Sequence, residues 1–220
     1  MKATSHSIAI TRTARYFTLG EISERTRRVW FVLHGYGQLA EYFIRKFEKI
    51  QDGETLIVAP EALSRFYLGN HSERVGASWM TREDRVPEID DYVNYLESVQ
   101  KTIFGKYSPE NVRITVLGFS QGTATACRWI DQTELHCDRL ILWGGYFANG
   151  ILELVDKKKL PSQDTHFVYG NKDEYLNQLN PAEYLEKLRT ELPFMNILEY
   201  RGGHAIDQQV LMKEFAENLG

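Results

Sequence analysis

Dense apolar blocks of strand length recur along this chain. They are rich in β-branched residues and bounded by Gly, Pro, Asn or Asp, a pattern typical of parallel strands buried on both faces of a sheet. The blocks lie at residues 29–33, 55–59, 112–117, 140–143, 166–169 and 197–200. Two further segments, residues 6–10 and 15–19, predict an antiparallel hairpin at the N-terminal edge of the sheet.

Stretches with helical spacing of apolar residues fill the intervals between these strands. The clearest one follows Pro87 and carries apolar side chains at positions 89, 92, 93, 96, 99 and 103. Shorter helices are predicted through residues 43–50, 123–130, 181–192 and 206–215. Strands that alternate with helices predict an α/β fold with a mostly parallel central sheet flanked by helices. The sequence has no internal repeat and no linker, so we expect a single domain over residues 1–220.

One long interval shows neither the strand pattern nor the helical pattern. Residues 61–86 are predicted to be irregular, and they contain several aromatic side chains. Loops of this length in compact domains are usually functional or disordered, and the aromatic content argues against disorder. The segment is therefore a candidate functional loop.

The composition narrows the partners that need to be considered. A net charge of −4 and a pI near 5.9 indicate no basic surface for nucleic acid, so we expect a small neutral or moderately polar substrate. The sequence has no apolar run long enough to cross a membrane, so we expect no integral membrane segment. Cys127 and Cys137 are predicted to be buried free thiols in a reducing cytoplasm, and neither has the spacing of a metal ligand.

Candidate chemistry begins where the third dense apolar block ends. Residues 118–122 read G-F-S-Q-G, and the helical segment 123–130 follows directly. A strand, a sharp turn bearing Ser120 and a helix form the nucleophile-elbow arrangement G-x-S-x-G. Such a turn strains the serine backbone by about 1–3 kcal/mol and brings strand and helix close together, which explains Gly118 and Gly122. Ser120 is therefore the candidate nucleophile.

A serine nucleophile requires a base, and the base requires an acid that orients it. Asp173 and His204 each follow a predicted strand, and ligands of open α/β sheets bind beyond the carboxyl ends of the strands. The order Ser120, Asp173, His204 along the chain is that of the α/β-hydrolases. Glu174 and Asp207 are alternative acids, ranked lower because Asp173 lies closer to its strand end and Asp207 lies beyond the histidine.

The loop after the first dense apolar block is a second functional candidate. An oxyanion hole uses the backbone N–H that follows the nucleophile, here that of Gln121, and one from a loop after an earlier strand. Residues 34–37 read H-G-Y-G, and we expect the amide of Tyr36 to be the second donor. The same loop also fits a dinucleotide-binding pattern, G-x-G-x-x-A over residues 35–40, with Glu61 after the next strand. That alternative leaves the serine, aspartate and histidine unexplained.

Several short motifs together resemble the carboxylesterase/phospholipase family of small α/β-hydrolases, which includes the acyl-protein thioesterases. In chain order they are H-G-Y-G at 34–37, A-P at 59–60, S-W at 78–79, G-F-S-Q-G at 118–122, G-N-K-D at 170–173 and G-H at 203–204. The resemblance implies an α/β-hydrolase fold with no large cap domain, which cleaves esters or thioesters with no cofactor and no metal. It also implies Ser120 as nucleophile, Asp173 as acid and His204 as base, with Tyr36 and Gln121 as oxyanion amides.

The resemblance further implies a substrate groove. We expect the acyl site of this groove to be lined by Phe66, Trp79, Met80, Tyr146 and Phe147.

The chain departs from the family pattern at three places. Gln38 stands where Asp is usual, Thr123 where Gly is frequent, and residues 175–177 where many members have an apolar residue and Pro. These departures remove no catalytic group but leave the substrate open. The sequence thus predicts a serine hydrolase of small-molecule esters or thioesters, and it leaves a homodimer open. Two alternatives remain: a non-catalytic binding module on the same fold, and a hydrolase of peptide amides.

Overall fold

The computed structural model describes residues 3–69, 74–105 and 112–216. Its strands are β1 (Tyr16–Leu19), β2 (Arg28–Leu33), β3 (Thr55–Pro60), β4 (Ser64–Leu68), β5 (Arg74–Ser78), β6 (Arg113–Phe119), β7 (Arg139–Trp143), β8 (Thr165–Gly170) and β9 (Asn196–Tyr200). Its α-helices are α1 (Ala40–Phe43), α2 (Arg85–Phe104), α3 (Gln121–Gln132), α4 (Pro181–Glu191) and α5 (Gln208–Phe215). Short 3₁₀ helices occupy Ile44–Ile50, Ile151–Glu153, Lys157–Lys159 and Leu176–Gln178.

The central sheet is mostly parallel, as predicted. It has the strand order β1-β3-β2-β6-β7-β8-β9, and among these strands β1 alone runs antiparallel to its neighbour. The strands β2, β6, β7 and β8 therefore end at the same edge of the sheet, where the loops that follow them meet. None of the described helices is long and apolar enough to cross a membrane.

The core lies on both faces of this sheet. Helices α2, α3 and α4 cover one face, and α1, the 3₁₀ helix Ile44–Ile50 and α5 cover the other. Along β2, Val29, Phe31 and Leu33 pack on the first face. Trp30 and Val32 pack on the second. A strand that is covered on both sides has no polar face, which explains its continuous apolar sequence.

The N-terminal edge of the sheet differs in part from the prediction. Residues 16–19 form the expected antiparallel edge strand, but they pair with β3. The strand predicted at residues 6–10 is wrong, because these residues form no strand and are exposed. The branched apolar side chains of Ile8 and Ile10 form a local pattern, whereas a strand also needs a neighbour for its backbone hydrogen bonds.

The segment predicted to be irregular, residues 61–86, contains regular structure and corrects that prediction. Residues 70–73 lie outside the described part, and on either side β4 and β5 form an antiparallel hairpin separate from the central sheet. Side chains along β4 alternate between half-buried and exposed, which is the period of a strand. An isolated bridge between Ala77 and Gln38 fastens the hairpin to the loop after β2.

Candidate active site

Ser120 lies on a strained turn between β6 and α3. Its backbone φ of 53° and ψ of −116° lie in a region that residues other than glycine rarely occupy, so the surroundings must enforce it. The N–H of Ser120 donates to the carbonyl of Trp143 at 2.8 Å. Its carbonyl accepts from the hydroxyl of Thr123 at 2.6 Å. The turn is therefore fixed to β7 on one side and to α3 on the other.

The glycines on either side of the turn allow the backbones to approach closely. A Cβ atom at Gly118 would lie 2.3 Å from the carbonyl oxygen of Gly122. A Cβ atom at Gly122 would lie 2.3 Å from the carbonyl oxygen of Leu33. No side chain fits at either position, so α3 can begin directly against β6 and β2.

The imidazole of His204 is held by a buried carboxylate. Its Nδ1–H donates to Oδ2 of Asp173 at 2.7 Å, and the side chain of Asp173 is 3% exposed. The rings of Phe119 and Tyr175 lie on the imidazole, with centroid distances of 4.9 and 4.7 Å. Nδ1 is thus engaged and Nε2 is the nitrogen left to accept a proton.

Ser120 and His204 line the same cavity. No direct hydrogen bond joins these two residues in the part of the chain that the structure describes. Catalytic hydrogen bonds are often long in ligand-free enzymes and shorten when the substrate binds. The arrangement therefore brings the two side chains to one site without closing the contact between them.

The geometry distinguishes among the three candidate acids. Oδ2 of Asp173 faces His204, while its other oxygen accepts from two backbone N–H groups of the turn that follows. The carboxylate of Asp207 caps the first turn of α5. Glu174 is exposed. Asp173 therefore both closes a turn and orients the histidine.

The loop after β2 begins with a fully buried histidine, His34. Its Nδ1–H donates to the carbonyl of Gly35 at 2.8 Å, and its Nε2 accepts from the N–H of Ala62 at 3.0 Å. This pair of hydrogen bonds requires the neutral ring. Burial lowers the pKa of His34 to about 4, so the ring is neutral at pH 7. His34 thus supports the loop as a neutral hydrogen-bonding group.

Two glutamine side chains fasten the loops around the nucleophile elbow. Oε1 of Gln38 accepts from the N–H of Gly35 at 2.9 Å, so the departure from the family's usual Asp retains an acceptor at this position. Oε1 of Gln121 accepts from the N–H of Trp79 at 3.0 Å, and its Nε2 donates to the carbonyl of Met80 at 2.8 Å. The elbow is thereby tied to the segment after β5.

Two backbone N–H groups near Ser120 have no hydrogen-bond partner among the described residues. They belong to Tyr36 and Gln121, the two amides predicted for an oxyanion hole. Gln121 is the first residue of α3, where N–H groups lack partners within the helix and the helix dipole favours negative charge. The loop of Tyr36 comes close to the serine, since a Cβ atom at Gly35 would lie 3.1 Å from the Cβ of Ser120.

Cofactor binding was the alternative for the loop after β2, and the geometry does not favour it. The buried carboxylate of Glu61 pairs with Arg15 at 2.7 Å and with Arg65 at 3.5 Å. It also accepts from the N–H of Ala40 at 3.3 Å, so it is not available to a ribose. Helix α1, which would have to receive the pyrophosphate, has four residues. The described residues contain no group of three His, Cys, Asp or Glu side chains arranged to hold a metal ion.

The candidate nucleophile and base open into a cavity of about 410 Å³. Of the side chains predicted to line a substrate groove, Met80 and Tyr146 line this cavity. Trp79 and Phe147 are 2% and 3% exposed and belong to the core. Phe66 lies on β4, and its ring packs against the ring of Tyr36. Sequence composition does not separate an aromatic in a pocket from one in the core, because both are apolar environments.

Other cavity residues were not anticipated from the sequence. One group follows Asp173 and comprises Tyr175, Gln178 and Leu179. A second group shares a face of α3 with Gln121 and comprises Ala124, Thr125 and Arg128. The spacing of three, four and seven residues from Gln121 is a signal that could have revealed this second group, because it marks one side of a helix.

Comparisons with known proteins identify the family to which this chain belongs. The model of the phospholipase/carboxylesterase family matches residues 17–217. The chain belongs to the phospholipase/carboxylesterase family. The matched range begins within β1 and includes every later element through α5. No match was found among curated proteins.

Solved structures share the fold of this phospholipase/carboxylesterase-family chain. Acyl-protein thioesterase 2 from Zea mays superposes with a TM-score of 0.65 at 14% identity, over 90% of this chain and 94% of that one. A phospholipase/carboxylesterase from Dyadobacter fermentans superposes with a TM-score of 0.62 at 19% identity, over 94% of this chain and 98% of that one. The predicted α/β-hydrolase fold is thereby confirmed.

Proposed function

We propose that this member of the phospholipase/carboxylesterase family is a serine hydrolase that cleaves carboxylic esters or thioesters through an acyl-enzyme. The observation that carries the proposal is the 2.7 Å hydrogen bond from His204 to buried Asp173, at the wall of the cavity into which Ser120 opens. The strained backbone of Ser120 supports the same role, because such strain concentrates at functional sites.

In the first half of the reaction, Oγ of Ser120 attacks the carbonyl carbon of the substrate. Its proton passes to Nε2 of His204, which is free because Nδ1 donates to Asp173. The carbonyl π electrons move to the oxygen, giving a tetrahedral oxyanion. When the carbonyl re-forms, the bond to the alcohol or thiol breaks, and Nε2–H protonates the leaving group.

The second half repeats these steps with water. His204 takes a proton from water, the hydroxide attacks the acyl carbon, and the proton then returns to Oγ of Ser120 as the carboxylic acid leaves. The N–H groups of Tyr36 and Gln121, which have no partner among the described residues, are the donors that we assign to the oxyanion in both halves. One such donor typically contributes about 3–4 kcal/mol to the transition state.

We also propose that residues 1–220 act as a single catalytic domain on a small-molecule substrate. The two cysteines, Cys127 and Cys137, are free and buried. This supports the proposal that the enzyme works in the reducing cytoplasm, where disulfides are rare.

The test is hydrolysis of p-nitrophenyl esters, from acetate to laurate, by wild type and Ser120→Ala. We expect turnover by the wild type and its loss in the variant, together with loss of labelling by a fluorophosphonate probe. Ser98→Ala is the matched control, because Ser98 is exposed on α2 and donates to the carbonyl of Asn94. We expect this control to retain activity.

The same experiment separates the alternatives. Unchanged ester hydrolysis in folded Ser120→Ala would remove Ser120 from the mechanism. Hydrolysis of peptide amides but not of esters by the wild type would indicate a peptide-amide hydrolase. Neither turnover nor labelling of folded wild type would indicate a binding module.

A further inference from the structure

Arg128 is a buried cation in the wall of the candidate active-site cavity. It lies on α3, is 7% exposed and lines the cavity together with Gln121, Ala124 and Thr125. At ~1.5 Å rise per residue, its Cα lies about 12 Å along the helix axis from that of Ser120. Side chains on a helix lean toward its N-terminus, which is the end that carries the serine.

Among the described residues, no carboxylate pairs with this guanidinium. Its Nη1 donates to the hydroxyl of Tyr92 at 3.3 Å and to Sδ of Met80 at 3.5 Å, and it forms no ion pair within the described residues. Burial raises the pKa of Tyr92, and it raises the pKa of Cys127 to about 12, so both neighbours are neutral at pH 7. The next carboxylate along α3, that of Asp131, accepts from a backbone N–H.

A buried charge without a counter-charge is unfavourable by several kcal/mol. The two contacts of Arg128 are with a neutral hydroxyl at 3.3 Å and a thioether sulfur, which is a weak acceptor, so they do not offset this penalty. None of the described residues that line the cavity is acidic. A negative group that enters the cavity would therefore meet a desolvated cation, and the carboxylate behind His204 is already engaged by the imidazole and by two backbone N–H groups.

We propose that Arg128 binds a carboxylate of the substrate, so that the natural substrate is an ester or thioester with a second, anionic carboxyl group. The proposal rests on the proposed hydrolase function and names its substrate class. Arginine presents a planar fork that matches a carboxylate through two parallel hydrogen bonds. One guanidinium balances one negative charge, which favours a carboxylate over a phosphate dianion. The net charge of −4 indicates a neutral substrate, but the local charge of the cavity governs what binds there.

The test compares substrates that differ only in this charge. Mono-p-nitrophenyl esters of dicarboxylic acids, from adipate to suberate, are matched with their methyl p-nitrophenyl diesters. A second pair, the butyrate ester of p-hydroxyphenylacetic acid and its methyl ester, places the carboxylate on the alcohol side. We expect wild-type kcat/KM to be on the order of 10- to 100-fold higher for the charged member of at least one pair.

Arg128→Met should remove this preference, measured as the ratio of kcat/KM for the charged and the neutral member of each pair in the same variant. Arg128→Lys keeps the charge without the fork and should retain a reduced preference. Arg189→Met is the control, because the Arg189 side chain on α4 is 55% exposed. We expect this control to keep the full preference.

Equal turnover of charged and neutral esters by the wild type would overturn the carboxylate site and leave the hydrolase function intact. A preference for the charged esters that survives in Arg128→Met would have the same meaning. If the wild type hydrolyses no ester, the proposed hydrolase function is wrong. Calorimetric measurement of suberate binding then tests the carboxylate site by itself. Binding that is lost in Arg128→Met and kept in Arg189→Met supports the carboxylate site. Absence of suberate binding by the wild type overturns it.

Discussion

Nδ1 of His204 and Oδ2 of Asp173 lie 2.7 Å apart, while the other oxygen of this carboxylate accepts from the N–H groups of Tyr175 and Leu176. One buried side chain therefore orients the imidazole and closes the turn after β8. The turn prevents the carboxylate from rotating away from the histidine. These two sets of hydrogen bonds distinguish Asp173 from the other candidate acids, Glu174 and Asp207, and its role can be tested by substitution.

We expect Asp173→Asn to lower kcat/KM for ester hydrolysis by roughly 10³–10⁴-fold, because an amide does not hold the proton on Nδ1 or stabilise the imidazolium. The amide oxygen can still accept from the turn, so the thermal midpoint should remain close to that of wild type. Steady-state kinetics and thermal unfolding measure both effects. Glu174→Gln is the control, because Glu174 is exposed, and it should retain activity. A loss below tenfold in Asp173→Asn would contradict the assigned role.

Gln38→Ala should lower kcat by about tenfold and leave KM nearly unchanged. Its Oε1 holds the N–H of Gly35 at 2.9 Å, and without it the loop that carries the Tyr36 amide is less well positioned for the transition state. The measurement is kcat and KM on a single ester. Gln209→Ala, at an exposed position on α5, serves as the matched control. If kcat is unaffected in Gln38→Ala, the side chain does not position the oxyanion loop.

His34 should make the free energy of unfolding depend on pH. Burial lowers its pKa from 6.5 to about 4 in the folded state. Between these values the unfolded chain binds the proton and the folded one does not. The contribution to stability is therefore complete above pH 6.5 and is lost as the pH falls toward 4. From pH 7 to pH 5 this amounts to about 2 kcal/mol.

Urea unfolding of wild type and His34→Gln at pH 7 and pH 5 measures this contribution. Glutamine supplies one donor and one acceptor but does not take up a proton in this range. The loss of stability on acidification should be about 2 kcal/mol smaller in the variant than in the wild type. Equal losses in the two proteins would show that His34 does not titrate as its burial requires.

The alternation of strands and helices, the G-x-S-x-G turn and the chain order of Ser120, Asp173 and His204 were accessible from the sequence. The first two depend on residues close together in the chain, such as the small residues that the turn requires at Gly118 and Gly122. Parallel strands also place their carboxyl ends at one edge. Residues that follow separate strands therefore meet there without any further information.

Tertiary structure alone decided which side chains face the cavity. Trp79 and Phe147 carry the same local pattern as Met80 and Tyr146, yet the first two are enclosed by the core and the second two line the cavity. Residues 6–10 have a strand pattern, but none of the described strands pairs with them. Arg128 lies on α3, and the sequence of this helix does not show that its guanidinium has no counter-ion among the described residues. Burial, strand pairing and charge pairing are properties of contacts between distant segments, so they emerge only when the chain is folded.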